Sequence, residues 1–443
     1  MFDVLKGAWA LLLGMMLLQV GNGMQGTLLG IRGEIEGFST MEMSLVMSGY
    51  FVGFLFGSRM APEMIRRVGH VRVFAALGSL ISAVMVMYPV LPDPIAWGLG
   101  RIIIGFCFSG VYVTAESWLN NAADNENRGK ALSLYMIMQM VGIVSAQGLL
   151  VLGEPSGFIL FIIPSILVSI SFAPILLSVS PTPAFDTTKP LSLRQIMEIS
   201  PLGCVGMFLL GGVFSAQFGM APVYGAEAGL SVAQISIFVS CFFISAMLVQ
   251  YPVGWLSDRM DRRVVIMAAA LIIGGGATIG MLMGDVFVML CVSALLIGGL
   301  SNPLYSLLIA YTNDFLEHDD MAAAAGGMVF INGLGAVAGP VITGWIMGYF
   351  GAWGFFMFIA ILGFAIAGYA AYRMTQRSLP TSHETDSYAV VYPSASPVAV
   401  EMAQEWAIDE ALAEEEAAED EAAAEEAGSG AADGAEPAEA DKT

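Results

Sequence analysis

The chain has 443 residues, of which 57% are hydrophobic and only 12% are charged, whereas soluble globular proteins carry about 25% charged residues. This composition excludes most soluble folds. The formal net charge of −21 belongs mainly to the tail, because residues 401–443 contain 16 acidic residues and one lysine. The sequence has no concentrated basic stripe, which excludes a nucleic-acid partner.

Apolar stretches of about 20 residues, the length that spans roughly 30 Å of hydrocarbon, recur along the chain. The first stretch is too long for a secretory signal, so we interpret it as a membrane helix. Twelve such windows are predicted, at about 8–30, 43–61, 71–91, 95–118, 131–152, 157–178, 201–223, 233–255, 264–284, 286–312, 324–349 and 353–372.

Basic residues are concentrated in every second connection between these windows. One basic residue, Arg32, lies in the opposite set of connections, which otherwise carries acids. Because loops rich in Lys and Arg stay in the cytoplasm, both termini are predicted to be cytoplasmic. The expected location is a bacterial inner membrane, crossed many times.

The sequence repeats itself at an offset of 192 residues. The segment 36–44 is similar to 228–236, and the same offset places Gly33 on Gly225, Gln25 on Gln217 and Arg67 on Arg259. One register therefore holds across two helices and two loops. Such parallel six-helix repeats are an established plan of transport proteins.

The repeat and the changes in composition divide the chain into four parts. Residues 1–179 are predicted to form the first six-helix bundle, and residues 200–373 the second. A cytoplasmic linker at 180–199 joins them. Residues 374–443, rich first in Ser and Pro and then in Ala and Glu, are predicted to be a disordered acidic tail. A docking role for this tail is the alternative.

One inner loop carries a recognisable motif. The residues concerned are Gly254, Asp258, Arg259, Arg262 and Arg263, and their spacing resembles the inner-loop signature of the major facilitator superfamily. The resemblance covers about residues 5–373 and implies an all-α membrane protein with twelve transmembrane helices, arranged as two pseudo-symmetric six-helix bundles (the major facilitator fold). Asp261 stands where that signature has glycine.

The first-half copy of this loop has basic residues instead of an acid. Arg66 falls on Asp258 and is followed by Arg67. We therefore expect a clasp between these arginines and acids that precede the eleventh window, namely Asp314, Glu317, Asp319 and Asp320. Two independently solvated loops are the alternative.

The fourth apolar window, 95–118, contains two charged residues, Arg101 and Glu116. Arg101, followed four residues later by Gly105, resembles the fourth-helix motif of the superfamily. It could hold an anionic substrate or be satisfied by amides and carbonyls. Glu116, fifteen residues further, should lie near the cytoplasmic end. It is the coupling candidate for proton carriage, with a structural acid as the alternative.

Further polar residues outline a candidate substrate pathway near mid-membrane, although each could make an ordinary interhelical hydrogen bond. Together with Arg101 they are Asn22, Gln25, Gln139, Gln217, Asn302, Tyr305 and Asn332. The resemblance therefore implies secondary active transport of a small solute by alternating access, with proton coupling left open. A non-transporting receptor that signals through the tail is the alternative.

No cofactor, metal site or enzymatic activity is predicted. The cysteines (Cys107, Cys204, Cys241 and Cys291) lie in apolar stretches without paired spacing, so we expect packing roles. The apolar windows contain no Ser/His/Asp, Cys/His or metal-ligand cluster. The expected partners are a small-molecule substrate and the lipid bilayer, with protons left open as a third, and the protein is expected to be a monomer.

Overall fold

The structure is a computed structural model that describes residues 2–122, 128–177, 192–316, 318–376, 388, 390–391, 396–404 and 406. Its described part is built from helices. Their bounds are α1 Phe2–Ile35, α2 Thr40–Val68, α3 His70–Val90, α4 Pro94–Ala122, α5 Arg128–Leu150, α6 Ile159–Leu177, α7 Leu193–Ile199, α8 Pro201–Ser215, α9 Ala221–Glu227, α10 Val232–Ser257, α11 Arg262–Met283, α12 Phe287–Asn313, α13 His318–Phe350 and α14 Gly354–Met374.

Each predicted apolar window coincides with one of these helices or, for the seventh, with α8 and α9 joined. Ten described helices are long and apolar enough to cross a membrane. The first and sixth windows are filled by α1 and α6. Three polar residues at three-residue spacing, Gln19, Asn22 and Gln25, lower the hydropathy of α1. The all-helical membrane architecture is thus as predicted.

The helices pack in two sets with the same internal pattern. In the first set α1 packs against α5 and α6, α2 against α4, and α3 against α6. In the second set α8 packs against α13 and α14, α10 against α12, and α11 against α14. The two sets meet through α2 and α13, α5 and α10, and α1 and α9.

The 192-residue repeat is visible in local geometry. Ser39 begins α2 with a capping box completed by Glu42, and Ser231 begins α10 with the same box completed by Gln234. The glycine two residues before each cap has a positive φ, 77° and 72°. Because the side chains that satisfy the first backbone N–H groups recur in register, the same short-range chemistry starts both helices.

Close packing explains part of the high glycine content. A Cβ at Gly105 would collide with the Tyr50 carbonyl on α2, and one at Gly335 with the Phe208 carbonyl on α8. These helices approach until backbone meets backbone. Small residues permit this approach in membrane proteins, where packing replaces the hydrophobic effect between helices.

The linker and tail differ in part from expectation. The predicted linker ends in the short helix α7, which Ser192 caps, while 180–191 lies outside the described residues. In the tail, Val391 and several residues of the helical stretch 397–404 are buried. The prediction of a disordered tail is therefore wrong at these positions, because their apolar side chains are buried in the protein. The rest of the tail after Gln376 lies outside the described residues.

Candidate functional site

A cavity lies between the two helix sets, and both sets contribute to its wall. The lining is aromatic and amide-rich, and none of the described lining residues is charged. Its residues are Gln19, Asn22, Tyr50, Phe51, Phe54, Leu55, Ser58, Tyr112, Met140, Ile143, Phe214, Phe218, Phe243, Asn302, Val329, Asn332, Gly333 and Ala336.

A connected set of hydrogen bonds forms the first-half wall. The Asn22 amide donates to the hydroxyls of Tyr50 (3.4 Å) and Tyr112 (3.3 Å). Tyr112 donates to Gln19 Oε1 at 2.8 Å, and Gln19 Nε2 donates to Gln139 Oε1 at 2.7 Å. The Asn22 carbonyl oxygen has no partner among the described residues. A solute donor in the cavity could satisfy it.

Arg101 lies behind this wall. It is fully buried, its Nη1 donates to Gln25 Oε1 at 2.8 Å, and its guanidinium lies 4.8 Å from the centre of the Tyr50 ring. Tyr50 lines the cavity, so the ring stands at the border between Arg101 and the solute space. Nε and Nη2 of Arg101 have no partner among the described residues. An amide and a ring face thus supply part of what a buried guanidinium needs.

The predicted pathway residues of the second half either line the cavity or lie behind its wall. Asn302 and Asn332 line the cavity, and Asn332 Nδ2 donates to the Met207 carbonyl at 3.0 Å. Gln217 does not line the cavity, and its Oε1 accepts a hydrogen bond from the Ser301 hydroxyl at 3.1 Å. Tyr305 is buried, and its hydroxyl has no partner among the described residues.

Gln217 lies in a short π-helical segment, Ala216–Met220, that joins α8 to α9. Pro222 follows in the first turn of α9 and has no backbone N–H to donate. The regular hydrogen-bond ladder is therefore interrupted at this depth. Such π-helical segments recur at functional sites. They change the direction of backbone groups and side chains relative to a regular α-helix.

Glu116 lies apart from the cavity, on the predicted inner side of α4. Its side chain is fully buried. Oε1 accepts from the Tyr135 hydroxyl at 3.0 Å, and Oε2 accepts from the Ser396 backbone N–H at 3.0 Å. Among the described residues it has no ion-pair partner. An acid buried in this way is costly as a carboxylate unless donors satisfy it.

The predicted outer ends of the two sets are in direct contact. Thr40 donates to Glu227 Oε2 at 3.0 Å, and Ser48 donates to the Val337 carbonyl at 2.7 Å. A Cβ at Gly30 would come within 2.7 Å of Pro222. The cavity is thus closed on this side by helix-to-helix packing.

The inner-loop motif forms a compact polar cluster in the second half. Arg262 is buried and forms an ion pair with Asp314, and both side chains are 5% exposed. It also lies 3.7 Å from Asp258 and donates to the Ala310 carbonyl at 3.3 Å. Burial raises the pKa of Asp258, and this rise is opposed by Arg262 and by the Tyr388 backbone N–H.

The remaining motif residues act locally. Asp261, at the position of the usual glycine, caps α11 by accepting from the Arg263 backbone N–H at 2.9 Å and pairs with the Arg263 side chain at 3.0 Å. Its φ is −53°, so glycine is not needed there. The Arg259 guanidinium covers the Trp255 ring at 4.4 Å. Gly254 faces the ring of Tyr388.

Among the side chains that the structure describes, the expected clasp of the first half is not formed. Arg66 and Arg67 both pair with Glu63, at 2.8 Å and 2.6 Å, on the exposed surface of α2. Asp314 pairs with Arg262 instead. An acid one turn away on the same helix reaches both arginines without any interdomain movement. Of the other acids named for the clasp, Glu317 and the side chain of Asp319 lie outside the described part of the chain.

Of the predicted pathway residues, Asn22, Asn302 and Asn332 line the cavity, whereas Gln25, Arg101, Gln139, Gln217 and Tyr305 lie behind it or beside it. Gln19 was not among the predicted pathway residues, although its spacing of three from Asn22 places both on one helix face. The aromatic lining was not predicted either, since a cavity-facing Phe and a lipid-facing Phe look alike in sequence. Among the residues that the structure describes, no group of His, Cys, Asp or Glu is placed to hold a metal ion.

The family model of the Major Facilitator Superfamily matches two segments, residues 11–230 and 203–400. The chain belongs to the major facilitator superfamily. A relative from Salmonella arizonae, named uncharacterized MFS-type transporter YcaD, is 24% identical over 363 residues, which are 80% of this chain and 92% of the relative. The Escherichia coli protein of that name is 25% identical over 359 residues, with the same shares covered.

Solved structures of facilitators share the fold. A point mutant of the nucleoside transporter NupG matches with a TM-score of 0.69 and 16% identity, covering 83% of this chain and 99% of that one. The Escherichia coli fucose:proton symporter FucP matches with a TM-score of 0.53 and 16% identity, covering 82% and 98%. The chain is therefore a multi-pass membrane protein of a transporter family, as the motif implied.

Proposed function

We propose that this protein carries a small, uncharged, hydrogen-bonding solute with an apolar face across the bacterial inner membrane by alternating access. The observation that carries the proposal is the composition of the cavity wall. Amides and hydroxyls from Gln19, Asn22, Asn302 and Asn332 stand among aromatic rings, and the described lining contains no charge. Concave sites of this kind bind ligands through apolar burial and a few placed polar groups.

The placement of Arg101 supports an uncharged rather than an anionic solute. Its guanidinium is engaged by Gln25 and by the Tyr50 ring, and it does not line the cavity. We assign it the role of holding these two side chains in place. The named cargoes of the structural neighbours, a nucleoside and fucose, are uncharged molecules with many hydroxyl groups, and they suggest the first probes.

The arrangement of the two helix sets supports transport by alternating access. The cavity is shared by residues 1–179 and 200–373, and the predicted outer ends are packed together. We assign this arrangement to the inward-facing state of a monomer with both termini in the cytoplasm. Movement between states then requires the outer contacts to break while the inner ends approach.

The test is uptake into proteoliposomes. Radiolabelled uridine, L-fucose and succinate are supplied to the parent, to Asn302→Ala in the cavity wall, and to Asn313→Ala. The last is the matched control, because Asn313 is buried on the same helix away from the cavity. We expect uptake of an uncharged probe that Asn302→Ala weakens and Asn313→Ala leaves intact. Saturable uptake of succinate that is lost in Arg101→Gln would overturn the proposal.

We further propose that Glu116 couples transport to protons. It is a buried acid with no ion-pair partner among the described residues, held by Tyr135 and Ser396. Glu116→Gln keeps the shape but cannot release a proton. We expect it to abolish accumulation driven by a pH gradient while exchange of labelled for unlabelled solute continues. Gradient-driven accumulation that persists in Glu116→Gln would exclude this role.

A further inference from the structure

A segment of the tail crosses the predicted inner side of the molecule from one half to the other. This segment, called here the C-terminal segment, comprises the described residues between 388 and 406. It enters at Tyr388, turns into a short helix at 397–404 and ends at Trp406. Val391, Val400 and Met402 within it are fully buried.

The first part of the segment is held by the second half. Gln250 Nε2 on α10 donates to the Tyr388 hydroxyl at 2.9 Å, and the Tyr388 backbone N–H donates to Asp258 Oδ1 at 3.2 Å. Ser306 on α12 donates to the Val391 carbonyl at 2.9 Å and accepts from the Val391 N–H at 3.0 Å. Two backbone groups of the segment are thereby satisfied by a single buried hydroxyl.

The later part of the segment is held by the first half. The Ser396 backbone N–H donates to Glu116 Oε2 on α4 at 3.0 Å. The Trp406 ring lies directly over Gly129 on α5. Each half therefore contributes both a side-chain acceptor and a glycine to the binding of the segment.

The glycines make room for the two aromatic rings of the segment. A Cβ at Gly254 would come within 2.6 Å of Tyr388 Cδ1, and a Cβ at Gly129 would collide with the Trp406 ring. A flat ring can lie against a helix only where no side chain intervenes. The inner surface is thus shaped for the segment at two points, one in each half.

We propose that the inner cleft is a binding site for the C-terminal segment, which acts as a tethered plug. The docked segment closes the inner mouth and keeps the inner ends of the halves apart. Because the segment contacts both halves in this arrangement and occupies the space into which they would close, it favours the inward-facing state. Covalent tethering makes binding intramolecular, so weak contacts suffice for high occupancy. The proposal rests on alternating access, and its first test does not.

The first test is cross-linking in the complete protein, with the four native cysteines replaced. Gly254→Cys with Tyr388→Cys, and Gly129→Cys with Trp406→Cys, each place two thiols where a ring now meets a glycine. A short bifunctional methanethiosulfonate should join each pair, as read by mass spectrometry. Gly254→Cys with Gln376→Cys is the control, because Gln376 is exposed before the segment. If both pairs link no better than the control, the docking proposal is wrong.

The second test uses two matched truncations. The chain 1–406 keeps the segment and loses the acidic run, whereas 1–387 loses both. Spin labels at Val68 and Met260, exposed positions 192 residues apart in the two halves, report the distance between the inner loops. We expect a single long distance in the complete chain and in 1–406, and an added shorter distance in 1–387. Identical distance distributions in all three chains would overturn the plug.

Transport gives the third measurement. Uridine uptake by 1–387 should rise several-fold over that of the complete chain, while 1–406 should match the complete chain. If none of the chains transports uridine, the proposed function is in doubt and the cross-links and distances still decide the plug. Val391→Arg in the complete chain should reproduce the effect of 1–387, and Gln376→Arg should not. An increase in both truncations alike would assign the effect to the acidic run and contradict the proposal.

Discussion

The two inner loops, 62–70 and 254–262, occupy equivalent places in the repeat and reach their geometry by different chemistry. In the second half, Arg262 is buried in an ion pair with Asp314, and Asp261 caps the next helix. In the first half, His70 takes the place of Arg262 and contacts Ser117 at 3.0 Å. Gly69 takes the place of Asp261 and has a φ of 84°.

This difference shows that a repeat preserves backbone topology more strictly than it preserves electrostatics. The first loop turns at Gly69, in a backbone conformation that favours glycine. Its two arginines are exposed and pair with Glu63. The second loop turns with an ordinary φ and carries a buried ionic cluster. Its acid, Asp258, also receives the Tyr388 backbone N–H. Among the described residues, the second loop is the one whose charged side chain contacts the C-terminal segment.

The largest expected effect comes from breaking the buried pair of the second loop. Asp314→Asn removes the buried counter-charge of Arg262 and leaves only the half-exposed Asp258 at 3.7 Å, which should cost about 3–5 kcal/mol of unfolding free energy. Denaturant titration of the purified protein in detergent measures the loss. The double change Arg262→Met with Asp314→Leu should recover most of it. A loss below about 1 kcal/mol in the single variant would mean that water reaches the pair.

The next effect tests the backbone of the first loop. Gly69 combines a φ of 84° with a ψ of 159°, a region almost confined to glycine, so Gly69→Ala should cost about 1–3 kcal/mol. Gly275→Ala is the matched control, since it is helical and an added Cβ meets nothing within 4 Å. The control should be neutral or slightly stabilising. Equal effects at both positions would remove the conformational argument.

The symmetric part of the repeat should respond symmetrically. Ser39→Ala and Ser231→Ala each remove one helix N-cap of the same geometry, so each should cost about 1 kcal/mol. The comparison is made by the same titration. Ser79→Ala, an exposed serine inside α3, serves as the control and should change little. A large difference between the two caps would show that only one half limits the unfolding transition.

The smallest effect belongs to the exposed arginines of the first loop. Their side chains are 70% and 74% exposed, so Glu63→Gln should change the free energy of unfolding least of all these variants, and less still at high salt. The titration is repeated at low and high ionic strength. A loss of unfolding free energy as large as that of Asp314→Asn would contradict the conclusion that only the second loop depends on a buried ion pair.

Short-range patterns were enough to predict much of the fold. The apolar windows and the 192-residue register both appear in the structure, because each depends on residues that are close in the chain or on the length of a helix that spans the bilayer. The candidate site could be predicted from the sequence only in part. Asn22, Asn302 and Asn332 line the cavity, since polar residues in apolar helices seldom face lipid.

The sequence by itself determined that this chain is a duplicated helical membrane protein of the facilitator type, since periodicity, charge bias and motif spacing are local properties. Only the tertiary structure decided which partners the ionisable groups take. Asp314 pairs with Arg262 rather than with Arg66, and Glu116 receives a backbone N–H from Ser396, 280 positions away. Such pairings depend on which helices are in contact and on how strongly burial enhances each electrostatic interaction. The order of residues along the chain specifies neither of these.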